Sequence, residues 1–221
     1  MEIGRDDVDG LPNRWPDQLD DEGKNFKRIM QSFIARCMDL HTTVMQSIAV
    51  GMGLPEHFFD EFTNDGDNTL RLLHYPPVSK EVFLKNSGQA RAGEHSDYGS
   101  ITLLFQDSCG GLQVQSPKGT FVDATPVPDT IVVNAGDLMA RWSNDIIKST
   151  KHRVIQPTCG TDDAAPDMYP ARYSIAYFCR PNLDKFIEAL PGTYGDGIGE
   201  KKYDGINSGQ YLLQRVAVTY Y

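Results

Sequence analysis

The sequence predicts a mainly β fold with flanking helices, of the double-sheet jelly-roll type. From Thr69 to Cys179, short apolar or alternating runs recur, and segments rich in Gly, Pro and Asp separate them. On either side of this region, apolar residues recur at helical spacing instead. Many short strands with frequent turns are typical of two sheets that pack face to face.

The composition fits one folded domain and argues against two kinds of partner. The chain has 221 residues, of which 40% are hydrophobic, enough for a sizeable core. Its formal net charge of −9 argues against non-specific binding to nucleic acid or anionic membranes. No apolar run approaches the roughly 20 residues of a membrane span. We therefore expect no nucleic-acid or membrane partner and, since the N-terminus is acidic and polar, a cytoplasmic location.

The cysteines indicate a reducing environment. Cys37, Cys109, Cys159 and Cys179 are far apart and form no C-x-x-C pair. This spacing does not suit a structural zinc site. We expect four reduced and mostly buried thiols, as in an intracellular protein.

The N-terminal part is predicted to be helical. Residues 1–20 read as a loop with a short strand at the start, and residues 21–52 as a long amphipathic helix. Gly and Pro at 51–55 end this helix, and Pro55 is expected in the first turn of a short helix at 56–62. His41 is expected to be structural and His57 to be a surface residue. The apolar face of the long helix is predicted to contain Phe26, Ile29, Met30, Phe33, Ile34, Cys37, Met38, Val44 and Ile48.

The strands are predicted to alternate with turns and to end at a last helix. Asn207 and Gln210 have the spacing of a capping box at the start of this helix. Its apolar face is expected to contain Tyr211, Leu212, Val216 and Tyr220. A polar loop is expected at 158–168. These elements divide the chain into an N-terminal helical segment (1–68), a jelly-roll core (69–182) and a C-terminal extension (183–221). The predicted strands are 70–75, 89–95, 100–106, 112–115, 121–122, 130–134, 151–155 and 172–179.

One short motif pairs an imidazole with a carboxylate, His95-x-Asp97. In an extended segment residues i and i+2 point to the same face, so the two side chains are expected to project together. His152 is the candidate third ligand, because the intervening antiparallel strands are numerous enough to return the chain to this pair. Two His and one carboxylate with open positions form the facial triad of non-haem Fe(II) oxygenases. The alternative is a structural role, with each His satisfied inside the core.

A second motif, Arg172-x-Ser174, suits a carboxylate ligand. Arg offers a two-pronged, charge-assisted contact, and the hydroxyl two residues later shares its face. A surface salt bridge is the alternative for Arg172, but its place at the start of an apolar, alternating strand favours a buried anion. Tyr75, at the end of another predicted strand, is a candidate third donor.

Together these motifs resemble the Fe(II)- and 2-oxoglutarate-dependent dioxygenases, and most closely the isopenicillin N synthase-like branch. With the segment at 140–145 and the tail at 208–213, the chain is similar to the microbial and fungal group that includes thymine dioxygenases. The likeness runs from about Ile3 to the C-terminus. Its other supporting segments are residues 12–16, 110–114, 131–137 and 149–154.

The resemblance implies a double-stranded β-helix (jelly roll) and a set of site residues. His95, Asp97 and His152 would ligate Fe(II), and Arg172, Ser174 and Tyr75 would hold the far carboxylate of 2-oxoglutarate. The expected reaction uses O2 to hydroxylate or desaturate a small-molecule metabolite, with release of succinate and CO2. The candidate substrate contacts are Arg91, Tyr98, Arg141 and Phe178, for each of which packing or a salt bridge is the alternative.

The sequence departs from this family at two places. Many relatives have Asn two positions before the Tyr75 equivalent, where this chain has Leu73, so one contact to 2-oxoglutarate is in question. Relatives also carry an N-terminal region that this chain lacks. Its absence predicts an exposed sheet edge that self-association or a partner would cover. Two other functions therefore stay open: an oxidase that does not use 2-oxoglutarate, and an inactive metal-binding remnant.

Overall fold

A computed structural model of the chain describes residues 1–6, 10, 12–85, 89–156 and 167–220. The helices in this part are α1 (Asp21–Gly51), α2 (Asp60–Thr63), α3 (Lys80–Lys85), α4 (Asp137–Trp142) and α5 (Ser208–Tyr220). The strands are β1 (Glu2–Ile3), β2 (Thr69–Tyr75), β3 (Val78–Ser79), β4 (Ala92–His95), β5 (Ile101–Gln106), β6 (Leu112–Gln115), β7 (Phe121–Asp123), β8 (Val132–Ala135), β9 (His152–Val154), β10 (Met168–Tyr169), β11 (Arg172–Phe178), β12 (Phe186–Ile187) and β13 (Ile206–Asn207). No helix among these residues is long and apolar enough to cross a membrane.

Two antiparallel sheets form the centre of the molecule. The larger has five strands in the order β1-β2-β11-β5-β8, and the smaller has four in the order β4-β9-β6-β7. Apart from the hairpin of β6 and β7 and the pair of β1 and β2, neighbouring strands in these two sheets are not consecutive in the chain, as expected when a chain winds between two sheets. Short pairs, β3 with β10 and β12 with β13, extend this framework. The predicted mainly β fold, a double-stranded β-helix, is confirmed.

The two faces of the larger sheet have different surroundings because successive side chains alternate. One face packs on α1, where the rings of Phe33 and Phe105 lie 4.9 Å apart. Buried Leu70, Leu103 and Tyr177 belong to this apolar layer. The other face, which we call the interior face, presents polar groups instead. Its members include Thr69, Arg71, Leu73, Tyr75, Thr102, Gln106, Asn134, Arg172, Ser174 and Phe178.

The long helix α1 forms close to its predicted bounds. Asp20 caps it by accepting a hydrogen bond of 2.7 Å from the backbone N–H of Gly23. The core residues deep in its C-terminal half are Cys37, His41, Met45 and Ala49, spaced one turn apart. The prediction is wrong for two residues of the apolar face. Ile29 and Met38 are exposed, because the side of α1 that packs on the core is narrower than the side that carries apolar residues.

Several local predictions need correction. The helix predicted at 56–62 begins only at Asp60, since residues 56–59 form turns. The elements α3, β3, β12 and β13 were not predicted; each is too short to carry a periodic signal. Val216 of α5 is exposed rather than packed. The polar loop predicted at 158–168 lies outside the described residues except for its last two, of which Met168 belongs to β10.

The described cysteines agree only partly with their predicted burial. Cys37, Cys109 and Cys179 are free thiols; Cys37 and Cys179 are buried, but Cys109 is only half-buried. Burial raises the pKa of Cys37 to about 11, so this thiol stays protonated. Cys159 lies outside the described residues.

Candidate metal centre and anion site

The structure brings His95, Asp97 and His152 together. His95 at the end of β4 pairs directly with His152 at the start of β9. Asp97 lies just beyond β4, so it reaches the pair from a loop and not from the extended segment that the sequence predicted. One ligand atom from each residue lies within 4.8 Å of the other two. Asp97 Oδ1 is 3.7 Å from Nε2 of His152.

Backbone carbonyls fix the tautomers of both imidazoles. Nδ1 of His95 lies 2.7 Å from the carbonyl oxygen of Gly93, and Nδ1 of His152 lies 3.2 Å from that of Thr150. A carbonyl oxygen only accepts, so each Nδ1 carries the proton and donates it. Each Nε2 then keeps a lone pair for a metal ion, which is the arrangement that metal-binding His residues adopt.

Two polar side chains of the larger sheet orient the Asp97 carboxylate. Its Oδ2 accepts hydrogen bonds of 2.7 Å from Thr102 Oγ1 and from Asn134 Nδ2. Thr102 of β5 and Asn134 of β8 are cross-strand partners, which explains why both reach one oxygen. Oδ1 is left facing His152. Sequence reasoning missed these two residues, although each is a polar residue inside an apolar predicted strand.

Two glycines allow the Asp97 loop to lie close to its neighbours. A Cβ on Gly136 would lie 2.4 Å from the carbonyl oxygen of Gly99, and one on Gly99 would lie 2.0 Å from that of Cys179. Real Cβ atoms do not approach a carbonyl so closely. The backbone N–H of Asp137 then donates to the carbonyl of Asp97 over 2.7 Å. The start of α4 is therefore fixed directly on the segment that carries the metal ligand.

Arg172 is buried on the interior face without a carboxylate partner among the described residues. Only 1% of it is exposed. Its Nε donates to the carbonyl of Gly110 at 2.8 Å, Nη1 to Ser174 Oγ at 3.1 Å, and Nη2 to Gln106 Oε1 at 3.4 Å. All three acceptors are neutral. Burial lowers the pKa of Arg172, opposed by nearby groups that include Tyr75 and Asp107. A buried cation held by neutral groups suits an anionic ligand.

Tyr75 and Leu73 lie on the same face as this cation. Tyr75 pairs with Arg172 across β2 and β11, and the Arg172 guanidinium is 5.4 Å from its ring. Leu73 pairs with Ser174 in the same ladder. The site thus has the predicted Arg, Ser and Tyr together, with the apolar side chain of Leu73 at the position where the family resemblance leads us to expect Asn.

The four candidate substrate residues occupy different places. Phe178 pairs with Thr102, the residue that bonds Asp97, so it lies near the metal ligands. Tyr98 follows Asp97 directly. Arg91 lies beside the anion site, with its guanidinium 6.0 Å from the Tyr75 ring.

Arg141 lies elsewhere. Its guanidinium is 4.9 Å from the ring of Tyr203 and 5.4 Å from that of Tyr211, and it donates to the carbonyl of Asp204. It lines a cleft of about 350 Å³ together with residues of α4 and α5. None of the three candidate metal ligands lines this cleft.

The donor set fits Fe(II). Two neutral imidazole nitrogens and one carboxylate oxygen are oriented and otherwise unused, which is the 2-His-1-carboxylate set of non-haem iron enzymes. A buried cation with two hydroxyl-bearing neighbours lies on the interior face of the larger sheet, the face that also carries Thr102 and Asn134, and suits the carboxylate of a second small molecule.

Comparison with known proteins identifies the family. The model of the 2OG-Fe(II) oxygenase superfamily matches residues 66–181, which include all six predicted metal and anion ligands. The chain belongs to the 2OG-Fe(II) oxygenase superfamily. The predicted Fe(II), 2-oxoglutarate and O2 are the cofactor and cosubstrates of this family.

Two proteins illustrate the place of this oxygenase domain among its relatives. The 2-oxoglutarate-Fe(II) type oxidoreductase ppzD of Metarhizium majus is 39% identical over 96% of this chain and 59% of its own length. Neurospora crassa thymine 7-hydroxylase, whose structure was solved with 2-oxoglutarate and thymine, is 61% identical in sequence to this chain, and the two structures superpose with a TM-score of 0.91. This match covers 99% of this chain and 64% of the Neurospora chain. The chain therefore spans about three fifths of the length of these two relatives.

Proposed function

We propose that this chain catalyses the Fe(II)- and 2-oxoglutarate-dependent oxidation of a small molecule, with release of succinate and CO2. The observation that carries the proposal is the presence of two sites that share the interior face of the larger sheet. The triad His95, Asp97 and His152 is hydrogen-bonded to this face through Asp97, and the buried Arg172 lies on it without a carboxylate partner among the described residues. Bound Fe(II) would supply O2 activation. The protein supplies positioning and shielding.

The proposal assigns each role in binding iron and 2-oxoglutarate to a described side chain. Nε2 of the two imidazoles and Oδ1 of Asp97 would hold Fe(II), while Thr102 and Asn134 keep Oδ2 occupied. Arg172, with Ser174 and Tyr75, would hold the far carboxylate of 2-oxoglutarate. Because the side chain of Leu73 offers no hydrogen bond, this contact would depend mainly on Arg172.

We infer that the substrate is a pyrimidine base such as thymine, hydroxylated at its methyl group. Support comes from the 61% identity to the Neurospora crassa protein whose structure contains thymine. The interior face offers a fitting surface: the Phe178 ring lies beside Thr102 in the ladder, with the Arg71 guanidinium 5.1 Å from it. An aromatic ring with a neighbouring cation suits a flat heterocycle with carbonyl oxygens.

The first experiment is an anaerobic titration of the Fe(II) protein with 2-oxoglutarate, which monitors the visible metal-to-ligand charge-transfer band. We expect the band in the unaltered chain. Arg172→Lys should raise the 2-oxoglutarate concentration that gives half of the maximal band intensity at least tenfold. The reason is that the Lys ammonium lacks the planar, two-pronged donor geometry of a guanidinium. The matched control is Arg36→Lys on the exposed side of α1, which should leave the titration unchanged.

The second experiment measures thymine oxidation and succinate together. Equal amounts of hydroxylated product and succinate support the proposal. Phe178→Ala should raise KM for thymine more than Tyr173→Ala, a control whose own side chain is exposed and points away from the interior face. Formation of product without succinate would contradict the proposal and indicate an oxidase that does not use 2-oxoglutarate. Bound iron without O2 consumption across pyrimidines and other metabolites would indicate the inactive remnant.

A further inference from the structure

The carboxylate of Asp137 connects the C-terminal helix to the metal-binding loop. Its Oδ2 accepts a hydrogen bond of 3.1 Å from the Tyr211 hydroxyl and lies 3.5 Å from Nη2 of Arg215. Both partners are on α5, one turn apart. On its backbone side, the N–H of Asp137 donates to the carbonyl of Asp97 over 2.7 Å. A single residue therefore touches both the helix and the ligand segment.

A second connection runs from α5 to the residue after the metal ligand. The guanidinium of Arg215 lies 4.9 Å from the centroid of the Tyr98 ring. The carbonyl of Tyr98 accepts a hydrogen bond of 3.2 Å from the N–H of Leu138, the second residue of α4. The Asp97–Tyr98 segment is thus held by the first turn of α4 and by a side chain of α5.

The N-terminal end of α5 is held in place independently of these contacts. The N–H of Ser208 donates to the carbonyl of Lys185 at 2.8 Å, and Asn207 Oδ1 accepts from the N–H of Gln210 at 3.0 Å. Strand β13, just before the helix, pairs with β12. Removing a side-chain contact at 211 or 215 therefore leaves the helix attached, so its local effect is separable from loss of the C-terminal segment.

We propose that Tyr211 and Arg215 are positioning residues for iron binding, acting through Asp137 and Tyr98 on the backbone of Asp97. The hydroxyl of Tyr211 fixes the Asp137 carboxylate, and Arg215 bridges this carboxylate and the Tyr98 ring. The C-terminal helix would thereby restrict the loop to the conformation in which Oδ1 of Asp97 faces His152. This inference rests on the proposed Fe(II) site but makes no assumption about the substrate.

The test compares Fe(II) affinity in the full 221-residue chain and in variants of α5. Tyr211→Phe deletes one oxygen and keeps the ring against Arg141, while Arg215→Met removes the cation from Asp137 and Tyr98. We expect the double variant to bind Fe(II) about tenfold more weakly, as for other groups that support metal ligands indirectly. The charge-transfer band at a fixed, subsaturating Fe(II) concentration should fall in parallel. Arg215→Lys should recover part of the loss, since it keeps the charge beside Asp137.

Gln214→Ala, on an exposed position of the same helix, is the control and should bind Fe(II) as the unaltered chain does. A folded double variant with unaltered Fe(II) affinity and band would overturn the positioning role. If the double variant does not fold, Tyr211→Phe alone decides, and unchanged affinity overturns the proposal. Failure of the unaltered chain to form a band with 2-oxoglutarate would contradict the proposed function instead, because the Fe(II) affinities still rank the variants.

Discussion

At the scale of single residues, the candidate metal centre depends on groups that hold the ligands. Carbonyl acceptors at Gly93 and Thr150 select the tautomers of the two imidazoles, and Thr102 and Asn134 occupy one oxygen of Asp97. Each ligand atom that faces the prospective metal is thereby left with its lone pair. The orientation exists before any ion binds, so little ordering free energy is lost on binding.

The role of Asn134 is testable by removing its amide. Asn134→Ala leaves Asp97 Oδ2 with Thr102 alone, and we expect Fe(II) affinity to fall about tenfold or more, because supporting hydrogen bonds commonly contribute this much. Isothermal titration under anaerobic conditions measures it. The neighbouring Val133→Ala, on the opposite face and 47% exposed in the native chain, is the control. Equal affinities in the two variants would contradict the role given to Asn134.

At the scale of elements, the site is assembled where β4, β9 and the larger sheet meet. A hairpin cannot supply this arrangement, since β4 and β9 are far apart in sequence and the strands β5 to β8 lie between them in the chain. Helix α4 begins directly after Gly136, whose missing side chain lets this part of the backbone lie against Gly99. Its N-terminal N–H groups bond the carbonyls of residues 97–99, so the element acts as a clamp on the ligand loop.

Gly136→Ala tests this clamp. The new Cβ would overlap the carbonyl oxygen of Gly99, which must move. We expect the free energy of unfolding to fall by about 1–3 kcal/mol, the usual cost of overpacking, together with a loss of Fe(II) affinity. Chemical denaturation and Fe(II) titration measure the two effects. Gly51→Ala is the control, because a Cβ there meets nothing within 4 Å; a similar loss in both variants would argue against the clamp.

At the scale of the whole molecule, α1 and the larger sheet share a core that contains one buried imidazole. His41 is 2% exposed, and its Nε2 lies 3.3 Å from Ser100 Oγ. Burial lowers the pKa of His41 from 6.5 to about 4. Ser100 lies between the Asp97 loop and β5, so protonation of His41 would disturb the packing beneath the candidate site.

This burial predicts a pH dependence of stability. Between pH 6.5 and 4 the unfolded chain binds a proton at His41 that the folded chain does not, so the free energy of unfolding falls as pH falls through this window. The full contribution, present above pH 6.5, amounts to about 3 kcal/mol. Denaturant unfolding at several pH values measures it. His41→Gln, which does not titrate, should show a shallower slope; an identical slope would exclude His41 as the cause.

The exposed sheet edge and the self-association predicted from the sequence stay predictions. In the described residues β1 and β8 form the edges of the larger sheet, and Tyr173 and Val133 are exposed at the parts of the other face that α1 does not cover. Sedimentation of the purified chain at several concentrations would measure any association.

The sequence by itself determined the fold class and the long helix, because the period of apolar residues and the turns between strands are local patterns. It also predicted six candidate site residues, from the His-x-Asp and Arg-x-Ser spacings together with the family resemblance, and the structure brings the three candidate metal ligands together and, separately, the three candidate anion ligands. The tertiary structure alone decided which neighbours support them. Thr102, Asn134, Gly99, Gly136 and the contacts from α5 become visible only once the register is known, because each acts on a residue that is distant in sequence or on another strand. The same holds for Arg141, whose place in a separate cleft depends on contacts with Tyr203, Asp204 and Tyr211 and not on its own neighbours in the chain.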